Sequence, residues 1–305
     1  MKKYDVIILT DKRYVNPQKL DNYIQNVLDE DNYVKVALEN QGLKAIRLSW
    51  DDATFDWSTT KYVLFRSTWD YFDRFPEFST WLNIVSNQTT LLNSEKIIRW
   101  NIDKHYLQDL QQNGVHICES YFIEKETQST LKELSQKYNL TEFVLKPCVS
   151  GAARHTYKIN SENITEYETV FSDLITNEAM IIQPFQYKIV EKGEMSLIVM
   201  NGKFTHAVLK VAKLGDFRVQ DDFGGSVYNY TPTKEEILFA ENAVKACVEL
   251  PIYARVDVFT DNNGKLAIAE LELIEPELWF RNYPAAADEL AKGIKQLINK
   301  NEKVI

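Results

Sequence analysis

The chain has 305 residues, a formal net charge of −9, and is 45% apolar and 26% charged. Those proportions belong to a globular protein long enough for two or three lobes with substantial cores. The acidic balance leaves no basic surplus to displace phosphate counterions, which excludes a general nucleic-acid binder. No uninterrupted apolar run approaches a membrane span.

The opening Met1-Lys2-Lys3-Tyr4-Asp5 runs straight into an apolar strand at 6–10, too short and too soon charged for a signal peptide. Leu20, Ile24, Val27, Leu28, Val34 and Leu38 carry helical spacing that stops at Gly42. Residues 45–50 and 62–66 read as a second and a third strand. Strand, helix, strand, strand predicts a small open α/β lobe with a largely parallel sheet. Ligands of such sheets sit beyond the carboxyl ends of the strands, a place taken here by Arg66-Ser67-Thr68-Trp69-Asp70-Tyr71. Arg66 suits a bidentate clamp on a carboxylate, and Trp69 and Tyr71 suit pocket walls. The alternative is a helix cap whose aromatics pack on the next helix, 75–85.

Ser94-Glu95-Lys96 begins a helix, and a second helical run over 101–110 ends at Asn113-Gly114. Lys104 on that run either reaches a phosphate or is solvated. Residues 142–146 read as a strand ending in Lys146, followed by Ser150-Gly151-Ala152-Ala153. Backbone N–H groups of such a small-residue loop approach an anion closely, and the lysine adds charge. The GxxxxGK[ST] spacing is absent, so this is no Walker loop. His155 reads as a loop histidine rather than a catalyst.

Residues 180–185 form another apolar strand ended by Pro184, and Glu191-Lys192-Gly193-Glu194 is a turn into a strand over 195–200. Asn201-Gly202 marks a two-residue hairpin turn. Lys213 to Gln220, ending at Gly224-Gly225, reads as a loop over a site or an irregular connection. Helical spacing returns at 235–250 and 288–300.

Between those helices lies a hairpin: 253–259, a turn at Asp261-Asn262-Asn263-Gly264, then Leu266 onward to Glu275-Pro276. Glu270 and Glu272 are two apart on a strand and leave the same face. If Asp257 joins them, three carboxylates share a small volume, each pair repelling by roughly 4 kcal/mol at ~4 Å and a dielectric of ~20. Such a cluster needs protons, basic partners or a hard cation, and oxygen-only ligands suit Mg²⁺ or Mn²⁺. The alternative is a solvated strand face. Cys118, Cys148 and Cys247 lie far apart without metal-ligand spacing and read as reduced thiols of a cytoplasmic protein.

Taken in order, Arg66 to Tyr71, Arg99-Trp100-Asn101 with Lys104, Lys146 and its loop, Gln183-Pro184-Phe185, Gly215-Asp216-Phe217-Arg218-Val219-Gln220 and Glu270-Leu271-Glu272-Leu273-Ile274-Glu275-Pro276 form a pattern. It resembles the ATP-grasp superfamily over essentially the whole chain. Within it the pattern is similar to the glutathione-synthetase-like group and, more narrowly, to the O-ureido-D-serine cyclo-ligase family. The resemblance implies an α/β ATP-grasp fold: a lobe over 1–94, a lid subdomain over 95–185, and a second subdomain with the metal site over 186–305.

By matching position it implies that Lys104 and Lys146 hold the ATP phosphates, with Ser150, Gly151 and Ala152 closing over them. Gln183 would face the adenine amino group, Pro184 and Phe185 would line the purine, and Glu194 would take the ribose. Asp257, Glu270 and Glu272 would bind Mg²⁺; the glutathione-synthetase pattern has asparagine in place of Glu272. Arg218 and Lys146 are the implied catalytic residues. Arg66, Ser67, Trp69, Asp70, Tyr71, Arg255 and Glu275 are the implied substrate contacts.

The activity implied is ATP-dependent carbon–nitrogen ligation. A carboxylate of an amino-acid-like or peptide substrate becomes an acyl phosphate, which a nitrogen nucleophile attacks, within the same molecule in a cyclisation. A homodimer is the default symmetric assembly. The competing expectations are a silent nucleotide-binding module and a phosphotransferase on the same fold.

Overall fold

A computed structural model describes residues 2–219 and 224–302. The first sheet is built from β1 (Tyr4–Thr10), β2 (Ala45–Ser49), β3 (Thr60–Ser67) and β4 (Thr90–Leu92), all parallel in the order β2-β1-β3-β4. Helices α1 (Asn22–Asn40) and α2 (Phe75–Val85) belong to this lobe. Asp21 caps α1, its side chain accepting the Ile24 N–H at 2.8 Å. The parallel lobe expected from the spacing is present.

Helices α3 (Glu95–Asn101) and α4 (Tyr106–Gln112) lead into the second sheet. The single helical run expected over 101–110 is broken, and Lys104 stands in the turn between two helices. The Lys104 N–H turns aside to the Cys148 carbonyl at 3.0 Å, and the Asp103 side chain takes the His105 N–H at 3.0 Å. Those bonds replace helical ones.

The second sheet holds β5 (Tyr121–Ile123), β6 (Glu142–Pro147), β7 (Tyr157–Asn160) and β8 (Met180–Pro184), ordered β5-β8-β6-β7 and antiparallel throughout. Phe143, Leu145, Ile159 and Ile182 from these strands pack on Leu131 of α5 (Leu131–Lys137) and on Phe171 and Ile175 of α6 (Ile164–Asn177).

After α7 (Tyr187–Lys192), the third sheet runs β11-β10-β9-β12-β13. Its strands are β9 (Glu194–Met200), β10 (Lys203–Val211), β11 (Ser226–Tyr230), β12 (Tyr253–Thr260) and β13 (Leu266–Glu272), with α8 (Lys234–Lys245) and α9 (Ala285–Glu302). The turn expected at 191–194 is instead the end of α7, whose C-cap Gly193 has φ 82°. A Cβ there would stand 2.5 Å from the Lys210 carbonyl oxygen, so glycine is required.

The first and third lobes share a core. Val6, Ile8 and Leu64 meet Val34 and Leu38 of α1, Leu290 and Ile294 of α9, and Ile198 and Met200 of β9. Glu30 of α1 reinforces the joint by accepting the Phe280 and Arg281 N–H groups at 3.0 and 2.9 Å.

Candidate active site

One face of the third sheet carries the chemistry. Cross-strand pairing sets Lys210 opposite Glu194, Asp257 opposite Ser196 and Glu270, and Arg255 opposite Glu272. Residues directly opposite on neighbouring strands share a face, so acids and bases interleave. Lys210 Nζ lies 2.6 Å from Glu194 Oε1 and 3.1 Å from Asp257 Oδ2. Arg255 joins Asp257, at 3.0 Å, to Glu272, and Ser196 Oγ donates to Asp257 at 2.5 Å.

Strand β13 ends the sheet, yet its outer backbone groups are occupied. Asn101 donates to Leu271 O and accepts from Leu273 N, both at 2.8 Å, and the Tyr106 hydroxyl accepts from Leu271 N at 2.9 Å. This strapping keeps an edge strand from pairing elsewhere and holds Glu270 and Glu272 in place.

A cavity of about 440 Å³ opens over this face, bounded by the loops of the first lobe and by the second sheet. Lys104 enters it with Nζ 3.0 Å from Glu270 Oε1 and 2.7 Å from the Ser150 carbonyl. Lys146, from the end of β6, lines it too, and its ammonium makes no hydrogen bond or ion pair with any described residue. Burial pulls the Lys146 ammonium below its ordinary range, with Lys104 adding to the fall and Glu270 opposing it. A cation so placed fits an anion brought from outside, as polyphosphate would be.

Ser150, Gly151 and Ala152 line the same wall. A Cβ on Gly151 would stand 2.6 Å from the Phe72 ring, and Ala152 and Ala153 hold left-handed φ of 48° and 54°. Left-handed alanines cost about 1–2 kcal/mol each, and such strain concentrates at functional loops.

Gln183, Pro184 and Phe185 also line the cavity, with Gln183 Nε2 donating to Ser120 Oγ at 2.8 Å. Phe217 packs edge-on to Phe185 at 5.9 Å, bringing its neighbour Arg218 to the cavity. Asp216 accepts from Arg218 Nη2 at 2.7 Å. Gln220, at the end of this loop, lies outside the described residues.

The oxygens of Asp257, Glu270 and Glu272 share the face without gathering within 4.8 Å of one another. Asp257 is held down at about 2, its burial outweighed by Arg255 and Lys210. Burial pushes Glu272 up to about 7 against the pull of Arg255, with Glu270 and Asp257 adding to the rise. The mutual repulsion that lifts Glu272 is what a hard divalent cation among these oxygen donors would relieve. Burial, then Glu272, pushes Glu275 up to about 8; its carboxyl pairs with no cation among the described residues.

Trp69, Tyr71, Arg255 and Glu275 line the cavity together with the residues above. Arg66, Ser67 and Asp70 do not. Arg66 is 3% exposed and donates to Pro276 O at 3.0 Å. Ser67 Oγ donates to Asp31 at 2.9 Å and lies 2.7 Å from the Thr10 hydroxyl. Asp70 accepts from the Trp50 indole and from Arg74, both at 2.7 Å. His155 lies in an exposed loop, its Nδ1 3.1 Å from the Tyr157 hydroxyl.

Lys210, Tyr14 and Arg13, which belong to none of the motifs above, line the cavity as well. The Asn201-Gly202 turn was a signal for Lys210. Counted straight from that turn, however, Glu194 would oppose Leu209; a register shift between Phe204 and His206 brings Lys210 there instead.

Three sheets with a cavity walled by buried lysines and a charged sheet face define a nucleotide-dependent ligase of the ATP-grasp kind. Residues 103–273, more than half of the chain, match the RimK-like ATP-grasp domain, and residues 6–93 match the N-terminal domain of D-cycloserine synthetase DcsG. The chain belongs to the RimK-like ATP-grasp family, whose members use ATP, and it is an ATP-dependent ligase.

Among curated proteins it is similar to the cycloserine biosynthesis protein DcsG of Streptomyces lavendulae, 28% identical over 264 residues, 79% of this chain and 85% of that one. The crystal structure of D-cycloserine synthetase DcsG superposes with a TM-score of 0.83 at 24% identity, covering 95% of this chain and 98% of that one. D-alanine–D-alanine ligase from Bacillus anthracis shares the fold at a TM-score of 0.66 and 15% identity, over 98% and 99% of the two chains. No helix among the described residues is long and apolar enough to cross a membrane.

Proposed function

We propose that the protein activates the carboxylate of a small amino-acid-like substrate as an acyl phosphate, and that a nitrogen nucleophile then displaces phosphate to form an amide. The observation that carries this reading is Lys146: a cation at the wall of the cavity with no hydrogen bond or ion pair among the described residues. It suits the γ-phosphoryl oxygens over which charge spreads during transfer. Lys104 and the 150–153 loop hold the remaining phosphates, Gln183 to Phe185 the base, and Glu194 the ribose.

Asp257, Glu270 and Glu272 hold Mg²⁺, which when bound neutralises phosphoryl charge. Arg255 and Arg218 stabilise the oxyanion formed as the nucleophile attacks. Glu275 receives the substrate's ammonium, and Trp69, whose indole N–H donates to the Glu275 carbonyl, walls the same end. A division at residues 94 and 185 into a substrate lobe, a lid and a metal-bearing subdomain is consistent with the three sheets.

The likeness of residues 6–93 to the N-terminal domain of a D-cycloserine synthetase supports a related substrate and an intramolecular attack that closes a ring. The test is phosphate release from ATP and Mg²⁺ with a panel of amino acids and small peptides, O-ureido-D-serine included, beside Glu270→Gln. Release that depends on one substrate and is absent in the variant supports the ligase. A stable phosphorylated product without ligation would replace it with a phosphotransferase.

A further inference from the structure

The turn between α3 and α4 brings together side chains of three different ligating chemistries. Asp103 and His105 flank Lys104, whose N–H, donating to the Cys148 carbonyl at 3.0 Å, pins this turn against the segment just after β6. Asp103 Oδ1 lies 2.6 Å from His105 Nδ1. One ligand atom from each of Asp103, His105 and Cys148 falls within 4.8 Å of the other two. The cysteines have no metal-ligand spacing among themselves, so the set exists only because the fold joins distant segments.

Its members are held in place. Asp103 also accepts the His105 backbone N–H at 3.0 Å, and the Cys148 N–H donates to the Ala179 carbonyl at 2.9 Å. His105 Nε2 lies 3.1 Å from Glu124 Oε1, and the ring stacks on Phe122 at 4.4 Å. A carboxylate on the far nitrogen of an imidazole fixes the tautomer and leaves the near nitrogen to ligate, as in histidines that bind metals. Cys148 is buried in the core cluster of Tyr106, Leu107 and Ile181, while the Asp103 and His105 side chains, 44% and 31% exposed, leave a path to solvent.

The geometry points to a binding site for a divalent transition ion of the zinc class, with Asp103, His105 and Cys148 as ligands and Glu124 as the positioning residue. A thiolate beside an imidazole selects such an ion over Mg²⁺, which takes oxygen ligands. Bonds of about 2.0–2.3 Å in a tetrahedron separate ligand atoms by roughly 3.3–3.6 Å, so small side-chain adjustments close the set, and solvent fills the fourth position. Binding releases the Cys148 thiol proton to solvent and leaves the imidazole proton on Nε2, facing Glu124. The ion ties the turn that carries Lys104 to the chain leaving Lys146. The site stands whether or not the protein is a ligase of small amino acids.

The experiment titrates the reduced full chain with Co²⁺ and then Zn²⁺, in excess Mg²⁺, and follows the absorption of the Co²⁺ complex. One Co²⁺ per chain is expected, with a thiolate-to-cobalt charge-transfer band that Zn²⁺ bleaches and Mg²⁺ does not. Cys148→Ser should abolish the band, whereas Cys118→Ser and Cys247→Ser should keep it. Glu124→Ala, at an exposed position, should weaken Co²⁺ binding roughly 10- to 100-fold, and Asp103→Asn and His105→Gln at least as much. Zn²⁺ should raise the thermal unfolding midpoint of wild type but not that of His105→Gln.

No Co²⁺ bound, a band that survives Cys148→Ser, displacement by Mg²⁺, or affinity unchanged in His105→Gln and Glu124→Ala would each overturn the proposal. Circular dichroism of each variant shows whether a lost band comes with a retained fold. Because His105 and Glu124 are partly exposed, their variants keep the test decisive even where Cys148→Ser does not fold.

Discussion

Asp257 and Glu270 face one another across β12 and β13 because the register slips by one residue beside them. Thr260 pairs with Leu266 and Val258 with Ile268, yet Asp257 pairs with Glu270 rather than Ala269. The bulge brings Glu270 and Glu272 onto the face that carries Asp257 and Arg255.

Lys210 binds two buried carboxylates, and Lys146 pairs with none of the described residues. Their removal is expected to differ in kind. Lys210→Met leaves Glu194 and Asp257 less compensated, and breaking a buried pair costs about 3–5 kcal/mol. Urea unfolding should show a loss of that order.

Lys146→Ala should leave urea stability unchanged or slightly raised, because burying an unpaired ammonium is unfavourable. Phosphate release should fall by roughly 10²–10³. Steady-state kinetics beside the unfolding curve check both halves.

Gly151→Ala places a methyl group against the Phe72 ring. Overpacking of this kind costs about 1–3 kcal/mol, and the displaced loop should raise KM for ATP. Adding Phe72→Leu, which gives room, should restore most of the KM. A double-mutant cycle on stability and KM measures the coupling.

His206 supplies a separate pH dependence, further along β10 from Lys210. Its Nε2 lies 2.9 Å from the Leu278 carbonyl, and burial lowers its pKa from 6.5 to about 4. Between those values the unfolded chain binds more protons than the folded one, so stability rises as pH climbs from about 4 to 6.5. The span corresponds to on the order of 3 kcal/mol. His206→Gln should flatten that part of the curve, as followed by thermal unfolding across the range.

Much of this protein was open to reading from residue order. Apolar patterning placed β1, α1, β2 and β3, because α1 buries one face while β1 and β3 are continuous apolar runs buried on both. The Asn-Gly step placed the β9–β10 turn, and the spacing of Glu270 and Glu272 put them on one side of a strand. The ordered motifs indicated the ATP-grasp family.

What tertiary structure decided were the contacts that join separate segments. Two register shifts brought Lys210 to Glu194 and Asp257 to Glu270, and a bulge leaves no mark in simple alternation. Lys104 left its helix because the Cys148 carbonyl, distant in sequence, offered its N–H a better partner. Arg13 and Trp69 are far apart in the chain and line one cavity because parallel strands deliver their following loops to the same edge. Local sequence determined which faces were apolar and which turns were tight; the pairing of charges across strands was settled by packing, which gave Lys210 and Arg255 their carboxylates and left Lys146 without one among the described residues.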